Sequence, residues 1–151
     1  MDLIKKNMNW DYIAGFFDGG GNIHILKTKT YENGKHNLAI AIRIYQTSKD
    51  ILEEIKNFIG YGAIYQHREL FELTFVKKEN VKDFLLNIKD KVIAKKGQVN
   101  YLLENYHFEK SSNENFDVDK FRSFIVRKNV DKFRTLHTTK KEEKESETQN
   151  S

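Results

Sequence analysis

The chain has 151 residues, no cysteine and a formal net charge of +4, from 26 Lys and Arg against 22 Asp and Glu. The lack of cysteine excludes disulfides and thiolate metal sites, and no apolar run approaches the roughly 20 residues of a membrane-spanning helix. No secretory signal opens the sequence, so we expect an intracellular protein that is not bound to a membrane.

The first predicted element is a short helix over residues 10–18, WDYIAGFFD, which ends at Gly19, Gly20 and Gly21. Glycine gives up side-chain packing and costs backbone entropy when it is ordered. Three consecutive glycines therefore indicate that something approaches this backbone closely, or that a side chain has been lost from it.

Two paired strands are predicted next, over residues 22–31 and 37–45. Apolar and polar residues alternate in both segments, which is typical of half-buried strands. The sequence ENGK at residues 32–35 lies between them, and its Asn-Gly pair is the strongest short-range hairpin signal. The hairpin is expected to have one apolar face and one polar, partly aromatic face.

The remaining segments continue the alternation of helices and strands. A capping box at Thr47–Asp50 starts a helix that reaches Ile59; strands follow at 63–68 and 70–75, and helices at 79–89, 97–107 and 118–133. This order predicts an α+β fold, with an antiparallel four-stranded concave sheet backed by helices on one face. The other face must meet water or a ligand.

The domain organisation follows from the length and from the final residues. A chain of this size has room for one ordinary domain, which we expect over residues 1–135. The segment from residue 136, which includes TKKEEKESETQNS, is charged and lacks apolar periodicity. We expect residues 136–151 to form a disordered tail.

The stretch IAGFFDGGG at residues 13–21 resembles the LAGLIDADG motif of homing endonucleases. The helix–hairpin–helix–hairpin order behind it resembles the fold of that family over about residues 8–105. A single motif in the chain is typical of the subgroup that works as homodimers. The resemblance implies cleavage of double-stranded DNA at a long pseudo-palindromic target, on the order of 20 base pairs, since half-sites mirror protein two-fold symmetry.

The resemblance assigns the motif helix to a dimer interface. In the family, two such helices, one from each protomer, cross at the dimer centre. Gly15 and Gly19 lie four residues apart on one helical face and permit close approach, and the resemblance adds Tyr12 and Phe16 to this interface. The alternative is that Gly19 and Gly21 merely end the helix.

The eighth motif position carries a metal-binding acid in the family, and here it is Gly20. Mg²⁺ prefers carboxylate ligands beside substrate phosphates, so the resemblance implies a Mg²⁺ cofactor whose binding is impaired, with the backbone carbonyl of Gly19 as the remaining ligand. Asp18 lies about 200° around the helix and is expected to point away. The change fits natural decay or deliberate inactivation.

Two further catalytic positions are carried over from the resemblance. Gln46 closes the second strand, where relatives hold a polar residue that contacts the active-site water network. Lys95 matches a basic residue that lies near the scissile phosphate in relatives. The alternative for Lys95 is an ordinary solvated lysine, because Lys96 fills the same slot after a one-residue shift.

Side chains that alternate onto the polar face of the sheet are predicted to read bases in the major groove, where Arg recognises guanine and Asn recognises adenine. They are His24, Leu26, Thr28, Thr30, Asn37, Arg43, Tyr45, Tyr65 and His67. Phosphate contacts at the rim are predicted for Lys27, Lys29, Lys35 and Arg68, with Lys29 off the reading row. For each residue alone, an ordinary exposed strand position is the alternative.

Other functions stay open. The glycine at position 20 also fits a non-cleaving member of the family, either an intron RNA maturase with RNA as its partner or a DNA-binding regulator. A plain RNA-binding protein needs aromatic stacking platforms, for which Tyr45 and Tyr65 are available without an accompanying RNA-binding signature. The abundance of Lys, Asn, Ile and Phe is typical of AT-rich genomes, which suggests a chloroplast, a mitochondrion or the cytoplasm of an AT-rich bacterium.

Overall fold

The computed structural model describes residues 8–30, 32–109 and 113–125. Within these ranges the elements are α1 (Trp10–Gly20), β1 (Gly21–Thr30), β2 (His36–Gln46), α2 (Lys49–Ile59), β3 (Ala63–His67), β4 (Leu70–Phe75), α3 (Lys78–Ile88), α4 (Lys96–Asn105) and α5 (Val118–Ser123). The predicted tail at 136–151, and the part of the predicted last helix beyond residue 125, lie outside the described residues. None of the described helices is long and apolar enough to cross a bilayer.

The four strands form one antiparallel sheet in the order β1-β2-β4-β3. Two hairpins, β1–β2 and β3–β4, meet through β2 and β4. The Asn-Gly turn signal and the alternation along the strands account for this arrangement. The prediction of an α+β fold with a four-stranded antiparallel sheet and helices is confirmed.

The hydrophobic core includes one face of the sheet and the inner faces of the helices. Ile40, Ile42 and Ile44 alternate along β2 and are at most 2% exposed. They belong to the same buried cluster as Phe17 of α1 and Phe84 of α3, whose rings meet edge to face with centroids 5.2 Å apart. Burying these aromatic rings fixes α1 and α3 on the apolar face of the sheet.

The start of α2 differs from the predicted capping box. The N-cap residue is Ser48, and its side chain makes no capping hydrogen bond. Thr47 is held against the end of β2 instead, because its backbone N–H and its hydroxyl both donate to Oε1 of Gln46, at 2.8 and 3.1 Å. Thr47 therefore lies one residue before the N-cap, and its hydroxyl donates to Gln46 at the end of β2.

A β-bulge in β1 changes which face of the sheet the end of this strand occupies. Lys27 pairs with Leu38, but one residue is then inserted at Thr28, and Thr30 pairs with His36. An inserted residue reverses the alternation of side chains beyond it. The hydroxyl of Thr30 lies 3.0 Å from Nδ1 of His36. The prediction that Thr30 belongs to the polar row is therefore wrong.

Candidate functional site

The three glycines at the end of α1 have different surroundings. A Cβ atom on Gly21 would overlap the ring of Phe17, so this backbone must carry no side chain. A Cβ on Gly20 would meet nothing nearer than the backbone oxygen of Tyr45, at 3.8 Å, and a Cβ on Gly19 would meet nothing within 4 Å. Packing within the chain therefore requires glycine at position 21 alone among the three.

Gly20 has the properties of a position that accepts a side chain. It is exposed, it is the last residue of α1, and its φ is not positive. The nearby oxygen of Tyr45 belongs to the end of β2, immediately before Gln46. The fold thus brings the predicted catalytic position 20 close to the strand end that carries the predicted catalytic residue Gln46.

Asp18 anchors the loop between α3 and α4. Its Oδ2 accepts the N–H groups of Ile93 and Ala94, at 2.6 and 3.1 Å, and its Oδ1 accepts the N–H of Lys95, at 3.0 Å. A carboxylate with three such donors is held in place by charge-assisted hydrogen bonds. These bonds agree with the prediction that Asp18 points away from position 20.

Lys95 is partly buried at the N-terminus of α4, whereas Lys96 is exposed. Its Nζ donates to the backbone oxygen of Asp18, at 3.0 Å, and lies 5.4 Å from the centroid of the Phe17 ring. Burial lowers the pKa of Lys95, and the negative charge of Asp18 opposes this effect. These contacts differ from those of an ordinary solvated lysine and place Lys95 at the C-terminal end of α1.

The donor atoms at this corner do not fit a hard divalent cation. Gly20 offers no side chain, and both oxygens of Asp18 accept backbone N–H groups. Across the described ranges, no group of three or more His, Cys, Asp or Glu side chains is placed to hold a metal ion. Mg²⁺ prefers carboxylates and water over backbone carbonyls alone, so the residues present do not fit the Mg²⁺ that the motif implies.

One side of α1 is left uncovered by the rest of the described chain. We call it the outer face of α1, and it consists of Tyr12, Gly15 and Gly19, together with the exposed part of Phe16, which also packs against the core. Tyr12 is 42% exposed, and its ring centroid lies 5.8 Å from that of Phe16. Neither Gly15 nor Gly19 would bring a Cβ within 4 Å of another group. The two glycines therefore serve no packing contact within a single described chain.

The register of the sheet brings most of the predicted base-reading residues together. We call this side of the sheet the polar face, and its predicted members are His24, Leu26, Asn37, Arg43, Tyr45, Tyr65 and His67. Thr28 is the inserted residue of the bulge, and its hydroxyl lies 3.4 Å from the backbone oxygen of Asn37. The alternation seen in the sequence thus correctly indicates a shared face, apart from the end of β1.

Asn37 has a structural role that the sequence did not indicate. Its Oδ1 accepts the N–H of Leu38, at 2.9 Å, and the N–H of Asn113, at 3.0 Å. Asn113 is itself buried and exchanges two hydrogen bonds with the backbone of His107. An Asn that reads adenine must use its own oxygen and nitrogen together, so these contacts argue against base reading by Asn37.

The predicted phosphate-binding residues are spread around the edges of the sheet. Lys27 is exposed, and Nζ of Lys35 donates to Oδ1 of Asn115, at 2.9 Å. Arg68 occupies the turn between β3 and β4 with a φ of 60°. The backbone of Lys29 pairs with Asn37, which is a register position on the polar face. The phosphate contact predicted for Lys29, off the reading row, stays a prediction.

The sequence analysis missed Glu72, which lies at the centre of the polar face between Tyr45 and Tyr65 in the register. Glu72 is 7% exposed. Its Oε1 accepts the hydroxyl of Tyr45, at 3.2 Å, and lies 3.2 Å from Nε of Arg43, while its Oε2 lies 2.9 Å from Nε2 of His67. Alternation with Phe71 and Leu73 was the available signal, but these partners depend on strand pairing.

Comparison with known proteins adds to this geometry. Residues 13–117 match the family model described as LAGLIDADG endonuclease. No curated protein sequence matches the chain. Three solved structures have a similar fold: the homing endonuclease I-CvuI in complex with the I-CreI target, the homing endonuclease I-TnaI, and the LAGLIDADG homing endonuclease I-SmaMI bound to cleaved DNA.

The extent of these similarities is moderate. I-CvuI is 21% identical, with a TM-score of 0.55 over 63% of this chain and 63% of that chain. I-TnaI is 21% identical, with a TM-score of 0.56 over 64% and 70%, and I-SmaMI is 19% identical, with a TM-score of 0.54 over 78% and 48%. Such identities show a shared fold. The family model covers more than half of the sequence, and the chain therefore belongs to the LAGLIDADG endonuclease family.

Proposed function

We propose that the chain is a site-specific DNA-binding protein of the homing endonuclease type that works as a homodimer and is deficient in cleavage. The observation that carries the proposal is Gly20, an exposed glycine at the end of the motif helix with open space for a side chain. The family fold supplies the platform for binding DNA, and position 20 lacks the acid expected for cutting it.

The polar face supports DNA binding. Arg43, Tyr45, Tyr65 and His67 share this face with His24, and Tyr65 is 54% exposed. A strand surface rich in Arg, His and Tyr suits the major groove, where side chains meet base edges. Among solved relatives, I-CvuI and I-GzeII are described in complex with DNA targets.

The outer face of α1 supports a homodimer. Two copies of this helix can approach closely because Gly15 and Gly19 present no side chain. Tyr12 and Phe16 flank the glycines and supply apolar surface that a partner would bury. A two-fold dimer places two polar faces on one duplex, which requires a pseudo-palindromic target.

The donor set at the end of α1 supports deficient cleavage. Metal-assisted phosphodiester hydrolysis needs a cation held beside the scissile phosphate. Gly20 provides no ligand, and the nearest acid, Asp18, holds the loop that carries Lys95. We expect Lys95, whose Nζ lies at the end of α1, to contact a phosphate of the bound DNA.

A second function is favoured by the same glycine. A family member that has lost cleavage can keep its polar face for use as a DNA-binding regulator, or can bind intron RNA as a maturase. The two possibilities differ in the nucleic acid that the polar face selects. Stacking of unpaired RNA bases would use Tyr65 and Tyr45.

The test is a binding-site selection with the full chain. Randomised duplexes, with a variable region on the order of 20 base pairs to hold two half-sites, are captured by the protein and sequenced over successive rounds. We expect enrichment of one two-fold symmetric sequence. A duplex pool that stays random would contradict the proposal, and enrichment from a matched pool of folded RNAs instead would support the maturase.

A further inference from the structure

Glu72 is an acid buried in the middle of the surface that we propose binds a polyanion. Its side chain is 9% exposed, and none of its contacts holds the core together, since they all lie on the polar face. A buried carboxylate costs free energy unless it is paired and hydrogen-bonded. We therefore expect Glu72 to act through the groups that contact it.

Those partners are three predicted base readers from two strands. Arg43 and Tyr45 of β2 approach Oε1, and His67 of β3 approaches Oε2. One carboxylate on β4 thus joins side chains from both of its neighbouring strands. Long side chains lose rotamer freedom when they are held in this way, and a reader that is already ordered pays less entropy on binding.

The contact with Arg43 determines which donors of its guanidinium can meet DNA. Nε of Arg43 is buried 3.2 Å from Oε1 of Glu72 and makes no hydrogen bond among the described residues, so the contact is an ion pair alone, and the Arg43 side chain is 31% exposed. The exposed donors of the guanidinium are therefore those of its two terminal nitrogens. Two parallel N–H donors match the O6 and N7 acceptors of guanine in the major groove.

We propose that Glu72 is a specificity-determining residue, which orients Arg43 so that its terminal nitrogens read one guanine in each half-site. Glu72 acts through Arg43 and is a positioning residue. Tyr45 and His67 hold the carboxylate in turn and fix its two oxygens. This inference rests on the proposed function, because it concerns how the polar face recognises duplex DNA.

The experiment compares Glu72→Gln with the unchanged chain on the duplex that the selection enriches. Binding is measured on that duplex and on every single-base substitution of it. Gln keeps the shape of the side chain but loses the charge that holds Arg43. We expect the preference for guanine at one base pair per half-site to fall by about fivefold or more, with preferences elsewhere unchanged.

Glu69→Gln is the matched control. Glu69 lies in the turn of the same hairpin and is exposed, so its substitution makes the same change of charge near the same DNA. We expect Glu69→Gln to raise affinity for all duplexes alike at low salt. A uniform change with Glu72→Gln, equal to that of Glu69→Gln, would show that Glu72 acts by charge alone and would overturn the inference.

A double variant separates positioning from a structural role. In an Arg43→Ala background, Glu72→Gln should cause no further change of base preference, because the oriented group is gone. A further change at the same base pair would overturn the inference. Should Glu72→Gln fail to fold, Glu72→Asp keeps the charge and withdraws it by one methylene, and unchanged preference in that variant would refute the inference.

The same experiment distinguishes failure of the proposed function from failure of the positioning role of Glu72. If the unchanged chain enriches no duplex, the proposed function fails and the role of Glu72 falls with it. If it enriches a duplex whose base preferences do not respond to Glu72→Gln or Glu72→Asp, only the positioning role fails.

Discussion

Gly20 is exposed, helical and free of close neighbours, so a side chain at this position would have room. The nearest atom to a Cβ at this position would be the Tyr45 oxygen at 3.8 Å, an ordinary van der Waals distance. Gly21, one residue later, admits no side chain because of the Phe17 ring. The run of three glycines therefore contains one that packing within the chain requires and two that it does not.

Gly20→Asp is expected to create Mg²⁺-dependent double-strand cleavage at the selected duplex. The substitution supplies the carboxylate that a hard cation prefers, at a position with room for it. Cleavage is measured on gels with the full chain, with and without Mg²⁺.

Gly20→Asn is the control, since it has nearly the same size without the charge, and it should bind the duplex without cutting it. The site assignment would be contradicted if the Gly20→Asp protein bound tightly and left the DNA intact in Mg²⁺ and in Mn²⁺.

Lys95→Met is expected to keep the fold and to be at least as stable as the unchanged chain at neutral pH. Burial lowers the pKa of Lys95, so its charged form is disfavoured in the folded state. Stability from such a group is present above its ordinary pKa of 10.5 and is lost as the pH falls through its lowered pKa.

Thermal unfolding at neutral pH and near pH 10.5 checks the sign of this effect. The advantage of Lys95→Met should shrink as the pH rises, while Lys96→Met, at an exposed position, should show no such trend. In a Gly20→Asp background Lys95→Met should also reduce cleavage. A Lys95→Met variant that is less stable at neutral pH would mean that the hydrogen bond to Asp18 outweighs the cost of burial.

At the scale of secondary-structure elements, alternation along β2, β3 and β4 was sufficient to predict which residues share the polar face. Alternation could not predict two features of the sheet. The bulge at Thr28 moved Thr30 off that face, because a strand sequence does not show an inserted residue. Arg43 and Tyr45 contact Glu72 from β2, and Tyr45 lies 27 residues from Glu72 in the sequence, so local patterns carried no signal for these two partners.

Arg43→Ala is expected to weaken binding to the selected duplex by about 1–3 kcal/mol and to relax the preference at one base pair per half-site. It should also lower the stability of the protein, by about 1–3 kcal/mol, because Glu72 loses its cationic partner. Competition binding on single-base variants and thermal unfolding measure the two effects.

Lys27→Ala is the matched control for this loss of positive charge. Lys27 is exposed and pairs with Leu38, which is a register position of the apolar face. Lys27→Ala should weaken all sequences alike and reduce the salt slope by about one unit. Uniform loss of affinity from Arg43→Ala would mean that Arg43 contacts phosphates.

At the scale of the whole molecule, the outer face of α1 links the fold to its assembly. Sequence alone could place Gly15 and Gly19 on one side of a helix by their spacing. Coverage of that side by the rest of the chain depends on tertiary packing, which the spacing does not reveal. The structure leaves both positions open among the described residues. A dimer built there would join two polar faces across a two-fold axis.

Gly19→Leu is expected to weaken self-association without disturbing the fold of one chain. A side chain at this position meets no group within 4 Å inside the chain, but it would separate two crossing helices. Analytical ultracentrifugation over a range of concentrations measures the monomer–dimer equilibrium.

Gly21→Ala provides the contrast, since its Cβ would overlap the Phe17 ring. It should lower the unfolding temperature, which Gly19→Leu should not do in the monomer. If Gly19→Leu dimerises as tightly as the unchanged chain, the outer face of α1 is not the interface, and a monomeric unchanged chain would remove the homodimer from the proposal.

The bonds from Asp18 to the loop at 93–95 join groups 75 to 77 residues apart in the sequence. Contacts of such separation require a long loop to close before they contribute any stability, so they form late on the folding pathway. Helix α1 and the first hairpin can form early, from local interactions alone. Gly20 belongs to α1, which can form early. We expect the contacts between α1 and Lys95 to form only after α3 has packed and the loop that follows it has bound Asp18.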